Sequence, residues 1–98
     1  MNKLRFILIS AALVLVHLLG HEAMAQNIKV SGYVRDAAGE PVIGATVVVE
    51  GTGTGTSTGI DGEYSVSAPA SGTLTFSIIG YKTVSEKIQG RTQISVTL

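Results

Sequence analysis

The chain has 98 residues, 45% of them hydrophobic, and its seven basic and seven acidic side chains leave a formal net charge of zero. It contains no cysteine, so no disulfide framework can staple it. A length of this order allows one domain, and the lack of a basic excess excludes an electrostatic footprint for nucleic acid or anionic lipid.

The first element is an address. Lys3 and Arg5 precede an apolar run from Phe6 to Leu19, and Ala23-Met24-Ala25 follows ahead of Gln26. A positive start, an apolar middle and a small-residue cleavage site predict a secretory signal peptide over residues 1–25, its apolar part helical. The run falls short of the roughly 20 residues that a membrane-spanning helix needs. No cysteine follows it, which excludes a lipoprotein anchor. The expected product, residues 26–98, is exported across a bacterial inner membrane. It keeps five basic residues (Lys29, Arg35, Lys82, Lys87, Arg91) and six acidic ones (Asp36, Glu40, Glu50, Asp61, Glu63, Glu86). Both histidines, His17 and His21, lie in the removed part. Without His or Cys, the usual zinc, copper and iron–sulfur ligand sets cannot form. Ser-His-Asp and Cys-His nucleophilic centres are excluded for the same reason.

The remainder reads as short strands separated by turns. Ile28, Val30, Gly32 and Val34 alternate with Lys29, Ser31, Tyr33 and Arg35, the period of a half-buried strand. Asp36-Ala37-Ala38-Gly39 is a turn, and Pro41 bars its surroundings from a central ladder position. Ala45–Glu50, with Val47, Val48 and Val49, is the second strand. The tract Gly51-Thr52-Gly53-Thr54-Gly55-Thr56-Ser57-Thr58-Gly59 is a loop leading into a short edge strand near 56–60. Asp61-Gly62 predicts a hairpin turn. Tyr64, Val66 and Ala68 mark the next strand, and Pro69-Ala70-Ser71-Gly72 the next turn. Leu74, Phe76 and Ile78 point inward from a strand that Gly80 breaks. Residues 81–88 form a more polar strand with Val84 and Ile88 inward. After Gly90, Ile94, Val96 and Leu98 alternate with Gln93, Ser95 and Thr97. No window has a helical period. The fold class is therefore all-β, a sandwich of six or seven short strands. Its expected core is Ile28, Val30, Val34, Val47, Val49, Tyr64, Val66, Leu74, Phe76, Ile78, Ile94 and Val96.

Little in this sequence carries chemistry. Gly51, Gly53 and Gly55 recur every second residue, with no lysine and no helix behind them, so the tract is neither a dinucleotide fingerprint nor a phosphate loop. Asp61-Gly62-Glu63 lacks the further oxygen ligands of a calcium loop and reads as a turn. Glu40, Glu86 and Lys87 read as solvated surface groups, and Tyr33 and Tyr81 as local packing residues. No residue is assigned a catalytic, cofactor-binding or metal-binding role, and no cofactor is implied. The open edges of such a sandwich suggest strand addition as a binding mode, with Val47–Val49 or Ile94–Leu98 as candidate edges.

Four stretches then line up with a known family. Val30-Ser31-Gly32-Tyr33-Val34-Arg35-Asp36 resembles its G-x-V-x-D opening strand. Gly39-Glu40-Pro41-Val42-Ile43-Gly44-Ala45-Thr46-Val47-Val48-Val49 resembles its G-x-P-x-x-G-A-x-V-x-V centre. Gly51-Thr52, Gly55-Thr56 and Asp61-Gly62-Glu63-Tyr64-Ser65-Val66 follow in the same spacing, and Leu74-Thr75-Phe76-Ser77-Ile78-Ile79-Gly80-Tyr81 resembles its L-x-F-S-x-x-G-Y stretch. Together they resemble the carboxypeptidase-regulatory-like domain, most of all the copy at the N-terminus of SusC/RagA-type TonB-linked outer-membrane transporters of Bacteroidetes. Gly59 stands where the family often has Asp, and Ile78 where an aromatic is usual.

The resemblance implies a transthyretin-like (prealbumin-like) Greek-key β-sandwich on the periplasmic side of a Gram-negative outer membrane. The implied role is non-catalytic, as an accessory domain that meets TonB-type energising machinery or a transporter's plug and barrel. A barrel strand takes about 9–11 residues and the family's barrels have about 22 strands, so residues 26–98 hold no such barrel and the chain is expected to be a fragment of a transporter. The alternative is a stand-alone exported binding or structural module. A peptidase is not expected: residues 26–98 hold no His or Cys, and in the family's metallocarboxypeptidases the zinc site lies in another domain.

Overall fold

A computed structural model describes residues 27–98. The expected signal peptide and its helix, residues 1–25, lie outside the described residues. Seven strands form two sheets, and no described residue is helical.

The three-stranded sheet is built on β1 (Asn27–Arg35). Period-two alternation turns Val30, Gly32 and Val34 inward and Lys29, Tyr33 and Arg35 outward. On one side β1 pairs antiparallel with β4 (Glu63–Pro69), Val30 opposite Val66 and Gly32 opposite Tyr64. On the other side it pairs parallel with β7 (Val96–Thr97). The four-stranded sheet has the order β3-β2-β5-β6, where β2 is Thr46–Val49, β3 Gly55–Ser57, β5 Thr73–Ser77 and β6 Val84–Lys87. Every pair in it is antiparallel. The inner faces of the two sheets close on one core, with Phe76, Leu74, Ile88, Val30, Val34, Val47 and Val49 as its largest fully enclosed side chains.

The all-β sandwich expected from alternation is therefore present, and most of the expected core is buried. Ile28 and Ile78 are exceptions, only half-buried. Ile28 sits near the open end of β1, and Ile78 lies one residue past the last paired residue of β5, so each meets the core from its rim. Val42, Ala45 and Ala68 join the core instead. The strand expected over residues 81–88 is shorter than its pattern, with Val84 half-buried and Ile88 fully enclosed just after β6.

Two turns differ in kind. Asp36–Gly39 is the expected turn: Gly39 N–H donates to Asp36 O, and Asp36 Oδ1 accepts from the N–H groups of Ala38 and Glu40, each at 3.0 Å. Gly62 also has a positive φ, and its N–H donates to Gly59 O at 2.9 Å. The strands flanking that second turn belong to different sheets, however. Asp61-Gly62 therefore carries the chain across the sandwich and does not join a ladder-paired hairpin.

One buried hydroxyl ties the segment before β2 to the segment after β3. Thr58 Oγ1 donates to Val42 O at 2.6 Å and accepts from Ala45 N–H at 2.8 Å. Thr58→Val keeps the shape and strands both buried backbone groups, so chemical denaturation is expected to show a loss of about 2 kcal/mol.

Candidate interaction surface

The charged side chains mostly serve the fold. Asp36 holds its own turn. Glu63 turns back, and its Oε2 accepts from Asp61 N–H at 2.9 Å. Glu50 Oε1 accepts from the Thr75 hydroxyl at 2.7 Å on the outer face of the four-stranded sheet. Glu86 pairs with Arg91 at 3.1 Å. Arg91 also donates through Nε to Ile88 O at 3.1 Å and through Nη2 to Lys87 O. Among the described residues no three His, Cys, Asp or Glu side chains gather as a metal site.

A side chain at position 59 would have to displace the flexible end of Glu63. A Cβ there would stand 1.9 Å from Glu63 Oε1, so the Glu63 carboxylate already fills the space that a side chain at 59 would enter. The carboxylate that accepts Asp61 N–H comes from position 63.

Of the two tyrosines singled out on the surface, Tyr33 has a side-chain partner and Tyr81 only a main-chain one. The Tyr33 ring lies 5.0 Å from the Arg35 guanidinium carbon, and Tyr33 N–H donates to Ser95 Oγ at 3.0 Å. Tyr81 is exposed, its N–H donating to Ile78 O at 3.2 Å. More exposed than either are Ile43, Ile60 and Ile79, the last at 99%. Ile79 lines a shallow depression with Gly44, Thr46, Ser77 and Ile78 at one end of the four-stranded sheet. Alternation does not single out these isoleucines. A usable signal was their position in turns, where Ile43 and Ile79 each precede a positive-φ glycine and Ile60 opens the Asp61-Gly62 turn.

The candidate edges separate cleanly. Val47–Val49 is not an edge: β2 lies between β3 and β5, because its register satisfies both sides. The Ile94–Leu98 segment is at an edge, through β7, but only Val96 and Thr97 form the strand.

Inside the sandwich, Tyr64 O–H donates to Ile94 O at 2.5 Å. Burial pushes its ionisation up to about 12, against the opposing pull of the Arg91 charge and with a smaller push from Glu86. The unfolded phenol ionises near 10, so the native state holds the proton longer. Stability is then full below pH ~10 and falls by about 2–3 kcal/mol between pH ~10 and ~12, with no further loss from this group above. Urea titrations at stepped alkaline pH are expected to show that fall. Tyr64→Phe should abolish it while starting from a lower stability at neutral pH.

The family profile of the CarboxypepD_reg-like domain matches residues 30–98, the whole sandwich except the start of β1. The chain belongs to the CarboxypepD_reg-like domain family. It is similar to the TonB-dependent receptor SusC of Bacteroides thetaiotaomicron, 52% identical over 64 residues, which is 65% of this chain and 6% of that receptor. It is also similar to two TonB-dependent receptors of Formosa agariphila. One is 42% identical over 69 residues, covering 70% of this chain and 7% of the receptor. The other is 36% identical over 83 residues, covering 83% and 8%. The chain thus spans less than a tenth of the length of these relatives. The CarboxypepD_reg-like domain here coincides with the described sandwich, and its relatives are receptors.

Proposed function

We propose that this CarboxypepD_reg-like domain is a non-catalytic accessory domain of a SusC/RagA-type TonB-dependent outer-membrane transporter, exported by residues 1–25 and lying on the periplasmic side. The observation that carries the reading is the 52% identity to a TonB-dependent receptor over 64 residues, 65% of this chain. Supporting it, the polar and charged groups that make side-chain bonds hold turns and strand ends: the buried Thr58 hydroxyl, and on the surface Glu63 and the Glu86–Arg91 pair. In that assembly the domain would meet TonB-type energising machinery or the plug.

Reading the gene past the Leu98 codon tests the proposal. A TonB box, a plug and barrel strands are expected, in the same frame or after a frameshift. A terminator directly after Leu98 would overturn it in favour of a stand-alone exported module. Fractionation gives a second check, with the product expected in the outer-membrane fraction and open to protease only after the periplasm is breached.

A further inference from the structure

Four strands lie at sheet edges: β3, β6, β4 and β7. An unpaired edge is a template for another strand unless something blunts it. Three of the four are blunted. β3 has three residues and β7 two. β6 carries Lys87, and Arg91 folds over its end to occupy the Lys87 carbonyl and pair with Glu86. The seven-residue β4 has no lysine, no arginine and no proline before its last residue.

The hydrogen-bond pattern shows which groups β4 leaves free. Ser31 N–H donates to Thr92 O and Ser31 O accepts from Ile94 N–H, so Ser31 faces the β7 side of β1. Its antiparallel partner Ser65 is therefore a non-hydrogen-bonded position, and by alternation so is Ser67 opposite Lys29. Tyr64, Val66 and Ala68 spend their backbone groups on β1. The N–H and C=O groups of Ser65 and Ser67 point the other way, where no described strand pairs with β4. Both side chains are small and exposed. At the near end, Glu63 O is already taken by Gly59 N–H.

We propose that β4 is a self-complementary edge through which two copies of this chain pair antiparallel, Ser65 of each opposite Ser67 of the other. In that register Val66 meets Val66 of the second copy on the two-fold axis. The two Ser65–Ser67 pairs are the closely bonded kind and exchange four main-chain hydrogen bonds. Glu63 falls opposite Pro69 of the second copy, so the only charges on the strand lie at opposite ends and never face each other. The three-stranded sheets become one sheet of order β7-β1-β4-β4-β1-β7. The inference rests on edge geometry and is independent of the transporter reading.

Sedimentation velocity of the purified chain over a concentration series tests it, with a reversible monomer–dimer equilibrium expected. Ser65→Glu with Ser67→Glu sets like charges opposite each other in both pairs and is expected to weaken the dimer at least about tenfold. Ser65→Glu with Ser67→Lys sets opposite charges there and should restore it to within about threefold of the unsubstituted chain. Both positions are exposed, so each variant should stay folded, with Ser67→Lys slightly less stable than Ser67→Glu because Lys29 lies opposite on β1. A chain that stays monomeric at every concentration overturns the proposal. So does a dimer indifferent to the paired glutamates, or one that the charge swap fails to restore.

Discussion

Phe76→Ala is expected to unfold the domain at ordinary temperatures. The Phe76 side chain is fully enclosed, and its ring meets Tyr64 edge-on, with centroids 5.3 Å apart and planes at 75°. Its β5 backbone pairs with Val47 on one side and Val84 on the other, so the ring sits under the middle of the four-stranded sheet. Truncating a buried Phe costs about 3–5 kcal/mol, and losing the aromatic pair adds about 0.5–1.5 kcal/mol. A domain of about 70 residues holds roughly 4–10 kcal/mol in all, so the loss takes most of it. Thermal and urea denaturation read the effect directly. At about 4–8 °C per kcal/mol for this size, a melting point lowered by 15 °C or more is expected. Phe76→Leu, which refills most of the volume, should recover much of the loss. A melting point within a few degrees of the unsubstituted chain would show that the core is centred elsewhere.

Gly32→Ala should be nearly as damaging, for a different reason. A Cβ at position 32 would stand 1.9 Å from the Ile94 carbonyl oxygen and 2.6 Å from its carbon. Backbone cannot yield that space as a flexible side chain could. The C-terminal segment must leave β1, and with it go the Ser31–Thr92 and Ile94–Ser31 hydrogen bonds and the Tyr64–Ile94 bond. Ile94 and Val96 then lose their cover. Three hydrogen bonds at about 1 kcal/mol each and two partly exposed aliphatic side chains put the loss at about 3 kcal/mol or more. Hydrogen exchange separates this from a general softening. The amides of Ser31, Ile94 and Leu98 should lose protection first, ahead of those in β2 and β5. Uniform loss across both sheets would refute the close-approach explanation.

These two residues mark the limit of what alternation can tell. Phe76 announces itself, since a large apolar residue flanked by Thr75 and Ser77 has one face to turn inward. Gly32 reads only as a small residue in phase with Val30 and Val34. That another backbone passes where its side chain would be depends on Ile94, far along the chain. Val42 and Ala45 escaped for a related reason, being buried outside regular strands where no period marks them. Ile43, Ile60 and Ile79 are the converse, apolar residues held outward by turn geometry.

Residue types alone determined that residues 27–98 carry no histidine or cysteine chemistry, that the fold is all-β, and which face of most strands is buried. Composition is independent of folding, and the two-residue period of a strand is local. The same motifs carried the resemblance that the family match bears out. Only the tertiary structure decided which strands are neighbours. It placed Val47–Val49 inside a sheet, made β7 a parallel edge, turned Asp61-Gly62 into a crossover, and left Ser65 and Ser67 facing away from every described strand. Pairing is a relation between distant segments, and a period states which side of a strand is apolar without stating what lies beside it.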